Sequence, residues 1–126
     1  MTTVALDASA LMAPVERDVR LFEELDRLLG GAEAVVPEAV LAELDRLAAS
    51  AGEEARAARV GTDLAERGRT VDTNERSGDD ALVALAEAGE AEYVVTLDRP
   101  LRDRLLSAGV PVVETRGRTR LEIREP

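Results

Sequence analysis

Apolar residues along the chain follow two spacings. Thr3 to Leu6, Ala34-Val35-Val36, Tyr93 to Leu97 and Val110 to Val113 are short runs that predict strands, and Arg69 to Asp72 adds a shorter one. Between them the spacing turns helical. Asp7-Ala8-Ser9 reads as a turn into a helix, and Asp18 to Leu29 sets Val19, Phe22, Leu25, Leu28 and Leu29 on one face before Gly30-Gly31 stops it. Pro37 suits the first turn of a helix reaching about Ser50. Further helices are predicted over Glu53–Arg67, Asp79–Ala88 and Pro100–Ala108, each followed by glycine. Strands separated by helices of this length predict an α/β fold: one domain over residues 1–126, a central parallel sheet between two helical layers. Residues 116–126 read as a charged C-terminal extension in which Leu121 and Ile123 alternate with charges, as an extra edge strand would. Its Arg116, Arg118, Arg120 and Arg124 either contact phosphate or guard a sheet edge against aggregation.

A chain of 126 residues can bury one core without staples. No apolar run is long enough to span a bilayer, and the N-terminus lacks the basic and apolar regions of a signal peptide. A cytoplasmic protein with no membrane partner is therefore expected. The absent residue types narrow the chemistry further. Without Cys there are no disulfides, thiolate nucleophiles or Cys-based zinc sites, and without His no Ser-His-Asp triad or imidazole ligand. All 16 basic residues are Arg, so the P-loop Lys and Schiff bases are excluded. Any catalysis falls to carboxylates, and the chemistry they suit is that of a hard metal ion held by oxygen.

The net charge of −10 makes the chain soluble and repels nucleic acid at low salt. Arginine without lysine, together with many acids, fits a high-salt cytoplasm, where a Debye length of about 3 Å at 1 M would screen that repulsion. GC-biased codon usage accounts for the same composition.

In open α/β sheets, ligands bind beyond the carboxyl ends of the strands, where strand order reverses. Asp7 ends the first predicted strand and Asp98 follows the fourth. If those strands are neighbours, about 4.8 Å apart, the two carboxylates share a crevice. Each also suits a helix N-cap, worth roughly 1 kcal/mol. Ser77-Gly78-Asp79-Asp80 fits a capping box, which gives Asp80 a structural role and leaves Asp79 as an early-turn acid favoured by the helix dipole. Glu43 lies at the edge of the apolar stripe of Val40, Leu44 and Leu47, where it needs either a metal or a salt bridge from Arg46 or Arg59. Carboxylates gathered in one cleft repel unless a cation neutralises them. An all-oxygen site of that kind suits Mg²⁺ or Mn²⁺, and the reaction class that follows is phosphoester hydrolysis.

The segments V-A-L-D-A-S-A-L-M, V-V-P-E-A-V-L-A-E-L, D-D-A-L-V-A-L-A and V-V-T-L-D-R-P-L resemble, in order and spacing, the motifs of PIN-domain nucleases, over roughly Thr3 to Val113. The resemblance implies a metal-dependent endoribonuclease acting on RNA. Carried over by position, it makes Asp7, Glu43, Asp80 and Asp98 the catalytic metal ligands for Mg²⁺ or Mn²⁺. Ser9 and Thr96 support them, and Asp79 replaces or assists Asp80, the helical register favouring Asp80. Two branches fit: VapC-type toxins, which dimerise and bind a small antitoxin protein, and small archaeal relatives of ribosomal-RNA-processing nucleases. The T-L-D-R-P-L ending resembles the second branch more than the R-D-F of the toxins. A homodimer is the family's usual state.

Receiver domains and haloacid-dehalogenase phosphatases both need a lysine, and neither a P-loop nor a G-x-G-x-x-G motif occurs. The remaining alternative is a catalytically degenerate PIN domain serving as an RNA-binding or scaffold protein.

Overall fold

The computed structural model describes residues 1–126. In chain order the elements are β1 (Thr3–Leu6), α1 (Ala8–Arg17), α2 (Leu21–Leu29), β2 (Glu33–Pro37), α3 (Glu38–Ala48), α4 (Gly52–Ala65), β3 (Arg69–Val71), α5 (Gly78–Glu87), β4 (Tyr93–Val95), α6 (Arg99–Ser107), β5 (Val112–Arg116) and β6 (Arg120–Arg124). They form one six-stranded sheet in the order β3-β2-β1-β4-β5-β6. All pairings are parallel except β5–β6. The chain steps outward from β1 to β3, then returns to β4 and steps the other way. Right-handed crossovers in opposite directions place helices on both faces, the α/β/α layering expected. The reversal falls between β1 and β4, which pair through Val4–Tyr93, Ala5–Val94 and Leu6–Val95.

The inner strands are apolar because both faces are covered. Val4, Ala5, Leu6, Val35, Val36, Val94 and Val95 are all buried. Helices α1 and α3 pack on α4, and α3 also packs on α5. Alanines 55, 57 and 58 of α4 are fully enclosed. A Cβ at Gly61 would stand 3.2 Å from the Leu11 carbonyl oxygen, so a larger residue there would push α1 and α4 apart.

Several boundaries differ from the sequence reading. Asp18 does not open a helix: it closes α1 in the left-handed conformation, φ 56°, and α2 begins at Leu21. Pro37 ends β2 and flanks α3 instead of occupying its first turn. The fifth strand runs on to Arg116, whereas the charged C-terminal segment forms the edge strand expected of it, the second arm of a hairpin turned at Gly117, whose φ is +65°. That arm is held by Glu24 of α2. The Glu24 carboxylate accepts two hydrogen bonds from Arg27, one from Arg120 and one from the Leu121 N–H. No helix is long and apolar enough to cross a membrane.

Candidate active site

The buried strand β1 delivers Asp7 to the carboxyl edge of the sheet, where its N–H donates to the Val95 carbonyl at the end of β4. The side chain is only 4% exposed. Its Oδ1 accepts the Ala8 N–H at 2.9 Å, capping α1. Its Oδ2 accepts the hydroxyls of Ser9 at 2.8 Å and Thr96 at 2.7 Å. Each hydroxyl has one proton, and both protons point to Asp7. The two oxygens, 3.3 Å apart, instead accept backbone N–H groups, Ser9 from Leu97 and Thr96 from Asp98. Ser9 and Thr96 thus weld the first turn of α1 to the loop after β4, with the Asp7 carboxylate between them. Burial raises the Asp7 pKa, while Thr96, Ser9 and the Ala8 N–H oppose the rise; Asp98 adds repulsion.

Asp98 stands on the neighbouring strand's exit, as the pairing of β1 with β4 requires. It caps α6 through Oδ1, which accepts the Leu101 N–H at 3.0 Å, and its side chain reaches solvent. Capping and a place in the crevice therefore coexist for both Asp7 and Asp98.

Glu43 comes from the half-buried edge of α3. Its Oε2 lies 3.3 Å from where a Cβ on Gly78 would stand, so the bare glycine lets the carboxylate reach the N-terminus of α5. Burial raises the Glu43 pKa, and so do Asp7 and Asp79; Arg46 lowers it through space by less, and Asp98 adds a smaller rise. The expected salt-bridge partners do not engage it: Arg59 donates instead to the Ala48 carbonyl. Asp79 is half-buried, and its pKa is raised by burial, then by Asp7 and Asp98.

Asp80 faces elsewhere. It accepts a hydrogen bond from Arg104 of α6 at 2.8 Å, its side chain is 51% exposed, and Arg104 and Ser77 lower its pKa. The helical register expected to favour Asp80 in fact turns it outward. Ser77 caps α5 through the Asp80 N–H, which puts Asp79 three and four residues before the buried Leu82 and Val83. Asp7, Glu43, Asp79 and Asp98 are near enough to feel one another's charge, with Arg46 and Arg104 only partly offsetting the repulsion at Glu43 and Asp79. No three of the carboxylates converge closely enough to grip one ion in this arrangement. Their chemistry, hard carboxylate oxygens that raise one another's pKa, is the donor type a divalent metal takes.

Sequence reasoning missed two features here. One is the close approach at Gly78, for which the only signal was a glycine just before Asp79. The other is a polar cleft of about 340 Å³ beside Asp98 that includes Arg17, Arg99 and Arg102. It brings together three stretches far apart in sequence: Arg17, the Thr96–Arg102 segment and the Glu114–Gly117 segment.

A doubly wound α/β domain with carboxylates at its strand-order reversal presents them where open α/β sheets bind ligands. A family model described as a PIN like domain matches residues 4–118, and the chain belongs to that family. Similar solved structures include the PIN domain endonuclease Utp24. That match has 22% identity and a TM-score of 0.79, covering 98% of this chain and 92% of that one. A chain of VapBC2 from Rickettsia felis bound to a DNA fragment from their promoter matches at 13% identity and TM-score 0.66. It covers 91% of this chain and all of that one. No curated protein sequence matches significantly. The fold is thus of the nuclease type.

Proposed function

We propose that the chain is a divalent-metal-dependent endoribonuclease that hydrolyses RNA phosphodiester bonds beyond the carboxyl ends of β1 and β4. The observation that carries this reading is Asp7, a buried carboxylate held by two hydroxyls and coupled by charge repulsion to Glu43, Asp79 and Asp98. Asp7, Glu43, Asp79 and Asp98 would hold Mg²⁺ or Mn²⁺, which when bound polarises a phosphate and activates water. The protein's own work is positional. Ser9 and Thr96 fix the Asp7 carboxylate so that it loses little freedom when a cation arrives. Gly78 leaves room for Glu43 to turn toward the same crevice. Asp80 is assigned to structure, tied to Arg104.

The test is Asp7→Asn, which keeps a good N-cap and so leaves α1 in place. The wild-type chain should gain thermal stability with Mn²⁺ and cut single-stranded RNA, with EDTA abolishing both effects. The variant should show neither, with an unchanged circular dichroism spectrum. Undiminished cleavage by Asp7→Asn would remove the mechanism. A second reading, a PIN domain that binds RNA without cutting it, is favoured by the spacing of the carboxylates. It predicts no Mn²⁺ stabilisation of the wild type.

A further inference from the structure

The arginines of this chain are unevenly employed. Arg20, Arg27, Arg69, Arg102, Arg104, Arg120 and Arg124 are each paired with a carboxylate, which cancels their charge locally. Arg17 and Arg118 bond only to backbone carbonyls: Arg17 to those of Gly117 and Arg118, and Arg118 to that of Glu16. Arg99 and Arg116 are exposed and make no ion pair. Nine of the sixteen arginines make no ion pair, and four of these lie at the β5–β6 turn or beside the cleft that reaches it: Arg116 and Arg118 flank Gly117, Arg17 bonds to its carbonyl, and Arg99 lines the same cleft. The polar cleft that contains Thr96 and Asp98 ends at Gly117, and a second cleft of about 520 Å³, lined by Arg27, Arg116 and Arg120, begins at the same glycine. A strip of arginines therefore leads from the carboxylate crevice across the hairpin toward α2, with Glu114 beside it already held by Arg102 and Arg124 and Glu122 the one acid in the second cleft, on a molecule whose net charge is −10.

We propose that this strip, with Arg17, Arg99, Arg116 and Arg118 as its charged contacts, holds the phosphate backbone of the RNA strand extending from the crevice. The inference rests on the RNA substrate proposed above. The chemistry favours a nucleic-acid backbone over an acidic protein. Leu97 is the one hydrophobic residue in the first cleft, whereas protein interfaces are built around an apolar core. Neither cleft contains the chain's single Phe or Tyr, so bases have nothing aromatic to stack on and binding should be indifferent to sequence. Arg120 and Arg124 drop out as phosphate contacts, because Glu24 and Glu114 hold them.

The measurement is equilibrium binding of a labelled single-stranded RNA to the full chain in EDTA, where cleavage cannot occur, across a salt titration. Each backbone contact contributes a slope of about −0.7 in log affinity against log salt, so Arg116→Ala/Arg118→Ala should flatten the slope by about 1.4 and weaken binding about 25-fold at 0.1 M. Arg67→Ala/Arg69→Ala removes the same charge at β3, the opposite edge of the six-stranded sheet from β6, five strand spacings of about 4.8 Å away and so beyond a Debye length of about 10 Å at 0.1 M, and should cost less than about twofold. Equal losses in the two double variants, or none in the first, would overturn the proposal. So would poly-glutamate of matched charge displacing the RNA as well as unlabelled RNA does, an outcome that reassigns the strip to an acidic protein. Failure here is separable from failure of the nuclease reading. RNA cleavage with Mn²⁺ by a chain whose strip variants bind normally sinks only the strip; strip-dependent binding without any cleavage sinks only the nuclease.

Discussion

Asp79 and Asp80 are adjacent, chemically identical, and turned to different sides of the first turn of α5. One helical position rotates a side chain by about 100°, enough to exchange a repulsive crevice for an arginine partner. Asp79→Asn should therefore cut RNA cleavage by roughly 10²–10³, a loss of the size seen when one preorganised electrostatic group is removed from an active site, because a neutral amide holds the cation less tightly. Asp80→Asn should leave the rate within a few-fold and the melting temperature little changed, because its pair with Arg104 is half exposed and screened by solvent. Rates of the two variants on one RNA, with Mn²⁺, decide it; equal losses would mean that the pair acts as a unit. Asp7, Asp98 and Glu43 could be placed from sequence because strand exits and helix edges are set by local period. The choice between Asp79 and Asp80 could not, since it depends on Arg104, which only the tertiary fold brings to α5.

At the level of elements, strands and helices were legible wherever burial sets the period, and the errors lie at their ends. Asp18 reads as a helix start by composition, yet it accepts the left-handed conformation that closes α1, a role that glycine usually signals. The alternation at Leu121 and Ile123 did predict the sixth strand. What holds that strand was invisible, because Glu24 and Leu121 are 97 residues apart. Glu24 is nearly buried, and Arg27 first, then the Leu121 N–H and Arg120, hold its pKa down at about 2. Between that value and the ordinary 4.5 the folded state binds fewer protons than the unfolded one. The stability from Glu24 is thus fully present above pH 4.5 and is lost as pH falls toward 2. Glu24→Gln should lower unfolding stability by about 1–3 kcal/mol at neutral pH, the cost of unpairing a buried polar group. It should also flatten the acid limb of a pH titration of the melting temperature. An acid limb identical to wild type would show that Glu24 does not anchor β6.

For the whole molecule, two electrostatic effects oppose each other. Asp7, Glu43 and Asp79 carry raised pKa values, with burial the largest cause in each. Over the range just above the ordinary carboxylate values, the folded state binds more protons than the unfolded one through these groups. Their contribution to stability therefore falls as pH rises, opposite in sign to that of Glu24. At neutral pH this local repulsion adds to the self-repulsion of a chain of net charge −10. Salt relieves both, since the Debye length shrinks from about 10 Å at 0.1 M to about 3 Å at 1 M. The same salt weakens phosphate contacts at Arg17, Arg99, Arg116 and Arg118, where binding releases counterions. Melting temperature should then climb steadily from 0.02 to 1 M NaCl, by about the same course in wild type and in Arg116→Ala/Arg118→Ala. Cleavage under subsaturating RNA should instead pass through a maximum in the wild type, where screening of long-range repulsion gives way to loss of contacts. In the strip variant the falling limb should flatten, because the contacts that salt would break are already gone. A melting temperature that fell with salt would contradict the charge argument at its root, whatever the activity did.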